Sequence, residues 1–109
     1  MAYDEGLAEL MREDFSERPG MVEKKMFGGL CFMMDGNMAC LAASDHAMYR
    51  VGTENEPDAL RLDGVTPMLR TKRKMPGFVE VAPETVADDA LRGQLLKMVL
   101  AYVGAMPAK

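Results

Sequence analysis

Leu7, Leu10, Met11 and Phe15 recur at helical spacing among acidic residues, which predicts a first helix from Asp4 to Glu17. Asp4 is placed to cap it, Glu5 suits its first turn, and Arg18-Pro19-Gly20 ends it. From Val22 to Met34 the pattern becomes extended and is interrupted at Gly28-Gly29. Paired glycines weaken a strand unless the backbone bulges or is closely approached, so this run, counted as one strand, is expected to be broken or bulged there. Asp35-Gly36 is a hairpin signal, with Met38 to Ala42 returning and Ala47 to Val51 following as a third strand. Gly52 to Leu62 reads as a modest helix, because Thr53 and Glu56 have capping-box spacing and Pro57 is tolerated in a first turn. Pro67 to Leu69 and Phe78 to Val81 predict two more strands around a tip at Arg70 to Lys74. Past Pro83, a last helix starts near Thr85 or Asp88 and carries the stripe Leu91, Leu95, Met98, Val99, Tyr102, Val103 and Met106. Gly93 disfavours that helix by about 1 kcal/mol relative to alanine, so close packing is expected at this position.

The order is thus α-β-β-β-α-β-β-α. Locally connected hairpins make the sheet antiparallel, with about five strands and the helices gathered on one face: a two-layer α+β domain. Residues 1–109 form a single domain of this kind, long enough to bury a core without metal or disulfide staples.

A two-residue Asp35-Gly36 turn sets the hairpin register. It places Cys31 opposite Cys40 and Met33 opposite Met38 on one face, with Leu30, Phe32, Ala39 and Leu41 on the other. A register pairing Asp35 with Met38 would separate the cysteines. Both faces are apolar, whereas a sheet with one solvated side alternates. Either helices cover one face and a second subunit the other, or loops shield the strand ends; the first is the favoured reading and predicts a homodimer. Thiols and thioethers suit Cu(I), but no Cys-x-x-Cys pair is present, and these residues read as small, adaptable hydrophobes. No metal or cofactor is assigned.

Composition changes this picture at one point: twelve methionines stand against no tryptophan. They predict a methionine-filled core, with an adaptable partner-binding surface as the alternative. The net charge of −4 argues against nucleic-acid or membrane binding driven by the overall field. No apolar run reaches the roughly 18–20 residues that span a bilayer. The acidic N-terminus lacks a signal-peptide pattern, so a cytoplasmic location with free thiols is expected. Arg70, Lys72, Arg73 and Lys74 concentrate positive charge at the hairpin tip, to which Lys24 and Lys25 add. They are the candidate nucleic-acid contacts. With no interleaved aromatic for base stacking, a solvated loop is the favoured reading. His46 reads as a surface residue, and no nucleophile, base or phosphate-loop pattern predicts an enzyme. Arg50 and Tyr102 are the polar groups for a ligand pocket between sheet and last helix, should one exist.

The stretch Lys24-Lys25-Met26-Phe27-Gly28-Gly29 with Phe32, followed by Gly36-Asn37-Met38, Arg50-Val51-Gly52 and Met75 with Gly77-Phe78-Val79, resembles the TfoX/Sxy N-terminal domain family. The resemblance runs from Tyr3 to Met106. It implies an α+β domain found in bacterial competence regulators, which act with the transcription machinery, and in short stand-alone proteins. It implies no catalytic residue. The chain shows no counterpart of the second, helical domain of the longer members, so a role in DNA uptake is not carried over. The expected function is a small cytoplasmic, non-enzymatic regulatory or protein-interaction module. Its contact surface is expected at Lys24, Lys25, Met26, Phe27, Gly28, Gly29, Met33 and Met38.

Overall fold

Asp4 begins the first helix as its sequence requires: its carboxylate accepts the Leu7 N–H at 3.1 Å, satisfying one of the otherwise open donors of the first turn. The structure is a computed structural model that describes residues 3–16, 18–26, 28–70 and 73–107, with 69, 70, 73 and 74 described by backbone alone. Helix α1 is Glu5–Asp14, followed by strands β1 (Met21–Met26), β2 (Gly29–Met34), β3 (Asn37–Ala42) and β4 (Ala47–Arg50). Helix α2 (Glu56–Ala59), strands β5 (Val65–Arg70) and β6 (Arg73–Val81), and helices α3 (Pro83–Ala87) and α4 (Asp89–Val103) complete the described elements.

The six strands form one antiparallel sheet in the order β1-β2-β3-β4-β6-β5. The expected α+β class holds, with one strand more than expected. That strand comes from Gly28-Gly29, which is not a bulge inside a single strand: Met26 pairs with Gly29, so the chain turns back there and β1 and β2 form a hairpin. Gly28 takes the left-handed φ of +73° that the turn needs, and a Cβ on Gly29 would lie 2.5 Å from the Ala42 carbonyl oxygen. The close approach is real, but it serves a turn and a neighbouring strand.

Helices α1, α3 and α4 pack on one sheet face, where the apolar stripe of each meets alternate strand residues. Leu7, Ala8 and Met11 of α1, Val86 of α3, and Leu95, Val99 and Val103 of α4 share a buried core with Leu30, Phe32, Cys40, Tyr49, Val79 and Val81. Truncating Leu95, which is 0% exposed, to alanine would destabilise the fold by about 3 kcal/mol. Ion pairs tie helix to helix and helix to sheet at the rim. Asp14 of α1 accepts from Arg92 of α4 at 3.0 Å, while Arg12 grips Glu23 of edge strand β1 at 2.7 and 2.9 Å and also contacts Glu9. Burial raises the Asp14 carboxyl above its usual range despite the Arg92 cation.

Three local expectations are corrected. Asp35 and Gly36 do form the tight turn, both at positive φ (51° and 85°), and Met34 pairs with Asn37. Between Phe32 and Met33, however, the register shifts by one. Ala39 becomes the extra residue, Cys31 pairs with Leu41, and Cys40 pairs with Phe32. The two cysteines therefore do not face each other: Cys40 lies in the helix-side core and Cys31 in a separate cluster on the far face. Glu56 does not close a capping box, because α2 spans only four residues with Asn55 at its N-cap, and the Glu56 carboxylate accepts the Gly77 N–H at 2.8 Å. Gly93 is exposed, with nothing within 4 Å of where a Cβ would stand, so no close packing explains it.

Candidate functional site

The helix-free face of the sheet is built by simple alternation. Cys31 and Met33 of β2, Met38 and Leu41 of β3, Met48 of β4, Met68 of β5 and Phe78 of β6 point away from the helices and gather with Met26 and Ala43 into a second apolar cluster. No described helix residue belongs to this cluster. Met38, Met48, Met68 and Met75, with Leu41 and His46, line a depression of about 310 Å³ in it. The methionines thus divide almost evenly: Met11 and Met34 are buried in the helix-side core with Met21, Met98 and Met106 packed against it, whereas Met26, Met33, Met38, Met48, Met68 and Met75 belong to the outer face. Its centre (Cys31, Leu41, Ala43 and Met48) is already buried within the chain, while Met26, Met33, Met38, Met68 and Phe78 around it are half-buried, so the accessible part of this face is the depression and its rim.

Chemistry on this face is limited. The Cys31 thiol donates to the Met33 thioether at 3.5 Å, and burial pushes its pKa up to about 11, so it stays a protonated, poorly nucleophilic thiol. Cys40, fully enclosed on the other side, is pushed well above the usual thiol range by the same cause. His46 is half-buried rather than fully exposed, and its Nδ1 lies 2.7 Å from Asp45. Among the described residues no three His, Cys, Asp or Glu side chains gather in a way that could hold a metal ion.

At the far end of β4 the sequence signature closes on itself. The Gly77 carbonyl accepts N–H groups from both Val51 (2.8 Å) and Gly52 (3.0 Å), and the Gly77 N–H is held by Glu56. Gly52, at φ +88°, has the Tyr102 ring where a Cβ would be, 2.5 Å from its nearest atom. Above this arch lies the Arg50 guanidinium, 5.4 Å from the Phe78 ring centroid and 5.7 Å from that of Tyr102, within cation–π range of both. Its Nη1 donates weakly to the Met38 carbonyl at 3.4 Å.

The structure brings only part of the expected contact set together. Met26, Met33 and Met38 join the outer face. Lys24 and Lys25 are exposed on edge strand β1, pairing in register with Cys31 and Leu30, so they fall on opposite sides of the sheet. Gly28 is in the turn and Gly29 is buried beside β3. Phe27 lies outside the described residues. The basic tip is the β5–β6 hairpin, where Arg70 pairs with Arg73 and the chain continues to Lys74; Lys72 lies outside the described residues. Sequence reasoning did not identify Met48, Met68 and Met75 as site residues, nor Glu56 as the clamp on Gly77. The alternation Met48-Arg50 on β4 is the signal that could have placed the first of them. Arg50 and Tyr102, expected as polar groups of a pocket, do meet, but as a ring-supported cation.

Among the described residues no helix is long and apolar enough to cross a membrane. Among curated proteins and solved structures none matches the chain at a significant level. A family model for the TfoX N-terminal domain, a regulatory type of domain rather than an enzyme family, matches residues 13–101, which takes in both the Gly28-Gly29 hairpin and the Arg50–Gly77 arch. The chain belongs to the TfoX N-terminal domain family.

Proposed function

We propose that this chain is a small cytoplasmic, non-enzymatic regulatory module that works by protein–protein contact through the helix-free face of its sheet, with a partner in or near the transcription machinery. One observation carries the reading: a second apolar cluster, rich in methionine and hollowed by a depression, lies on the side that no described helix covers. Thioether side chains repack around differently shaped apolar groups at little strain, which suits a docking surface better than a fixed catalytic pocket. The one thiol on this face, Cys31, is buried and protonated, in keeping with a binding role.

Photo-crosslinking in the native cell tests this. A benzophenone amino acid at Met68 is expected to give covalent protein adducts, while the same group at Glu84, exposed on the helix layer, gives none. An adduct at twice the chain mass would make the occupant a second copy, as in the homodimer that the apolar sheet face suggests. Equal yields at both positions, or none at Met68, would remove the outer face as the docking surface.

A further inference from the structure

We propose that the methionine-lined depression receives an apolar peptide segment bearing a carboxylate, and that Arg50 pairs with that carboxylate. This rests on the outer face being a protein-docking surface and names the chemistry of what docks.

Arg50 differs from three other arginines of the fold. Arg12, Arg61 and Arg92 each face a carboxylate within 4 Å. Arg50 is half-buried, yet its one hydrogen bond among the described residues is the long contact to the Met38 carbonyl, and no described carboxylate pairs with it. A guanidinium carries five N–H donors in a planar fork matched to a carboxylate. Phe78 and Tyr102 hold the cation in place by their ring faces and leave its charge unneutralised. Part of the desolvation of this cation is therefore already in place before any partner arrives, and an incoming carboxylate gains a preorganised, partly dried contact.

The same residue joins this cation to the apolar hollow. Met38 gives its carbonyl to Arg50 and its side chain to the depression. His46 and Arg50 bracket β4, about 13 Å apart along the strand, the reach of roughly four extended peptide residues. Arg50 stands beside the depression rather than in its lining; beyond Phe78, the partner of Arg50, strand β6 runs on through Met75, which does line it, to the basic hairpin tip, so positive charge in the sequence accumulates at the Arg50 end of the apolar surface. The surface is complementary to a short segment that is apolar along its length and acidic at one end.

A random 12-residue peptide library displayed on phage, panned against the full chain, reads this preference without assuming a partner. The expected result is enrichment of peptides with an Asp or Glu beside two or more large apolar residues. A synthetic copy of the top peptide should shift the methyl signals of Met38, Met48, Met68 and Met75 in a methionine-methyl NMR spectrum and leave that of core Met11 in place. Its affinity should fall at least tenfold in Arg50→Gln. It should fall equally when the peptide's acid is changed to its amide, a swap that leaves the protein untouched and so keeps the test independent of folding. Enriched peptides without an acid, unchanged affinity in Arg50→Gln, or no enrichment would each overturn the proposal. Adducts at Met68 in the crosslinking experiment would still stand in any of those cases, so the two readings fail separately.

Discussion

Cys31 and Cys40 occupy one β-hairpin and opposite faces of its sheet, separated by the register shift at Ala39. An intramolecular disulfide would need the two Cβ atoms on the same side and about 4 Å apart, which this hairpin cannot offer without unfolding. Oxidation of the native chain with diamide is therefore expected to leave both thiols countable by mass spectrometry. Both should also resist DTNB at pH 8 in the folded state and react promptly in guanidinium chloride, because burial raises both thiols. A fast-reacting cysteine in the native protein would contradict the packing on its face.

Gly29 is expected to tolerate no side chain. Its Cβ would stand 2.5 Å from a backbone oxygen of Ala42, an atom that cannot rotate away. Gly29→Ala should lower stability by about 2 kcal/mol in denaturant unfolding, the scale of overpacking in a tight interior. A midpoint unchanged from wild type would mean that β2 and β3 can part at no cost.

Gly93 should behave in the opposite way. It is exposed in the interior of α4 with open space around it, so Gly93→Ala gains helix propensity without a clash. Stabilisation of about 0.5–1 kcal/mol is expected, seen as a higher melting temperature. A lower one would point to a contact made by the bare glycine backbone.

Glu23 sets an acid-side signature. The Arg12 guanidinium beside it holds its carboxyl below the usual value of 4.5. The folded state therefore keeps the charge where the unfolded chain would take up a proton. The contribution is complete above pH 4.5 and is lost as pH falls from there through the folded value. Glu23→Gln should thus be less stable than wild type at pH 7, and the two should converge as pH drops below 4.5. Both partners are more than a third exposed, so the difference is small and should shrink in 1 M salt. A gap between the two that stays constant with pH would mean that the pair is not formed in solution.

What the sequence disclosed depended on how local the cause was. Asp4, Asp88 and the Asp35-Gly36 turn are decided by a few adjacent residues, and each appears as its chemistry demands. The apolar character of both sheet faces was also legible, because alternation is a property of each strand alone. Facts that depend on distant neighbours were not. The position of Cys40 hinges on one extra residue at Ala39, to which the hydrophobic pattern is blind. Glu56 had the spacing of a cap, but its carboxylate is committed to Gly77, 21 residues away. Gly28-Gly29 signalled a break in the strand without saying whether the chain kinks or reverses. The site is less legible still, since Met48, Met68 and Met75 come from three separate strands and meet only once the sheet order is known.

The strand order also leaves β1 and β5 as the two margins of the sheet. Pro67 in β5 has no N–H to offer a neighbour, and β1 presents Glu23-Lys24-Lys25 in succession along its exposed length. Neither margin is a template for another strand, so the sheet resists growing sideways into a ribbon or fibre even at high concentration. Crowding of this protein in a cell should accordingly leave the sheet at its six strands.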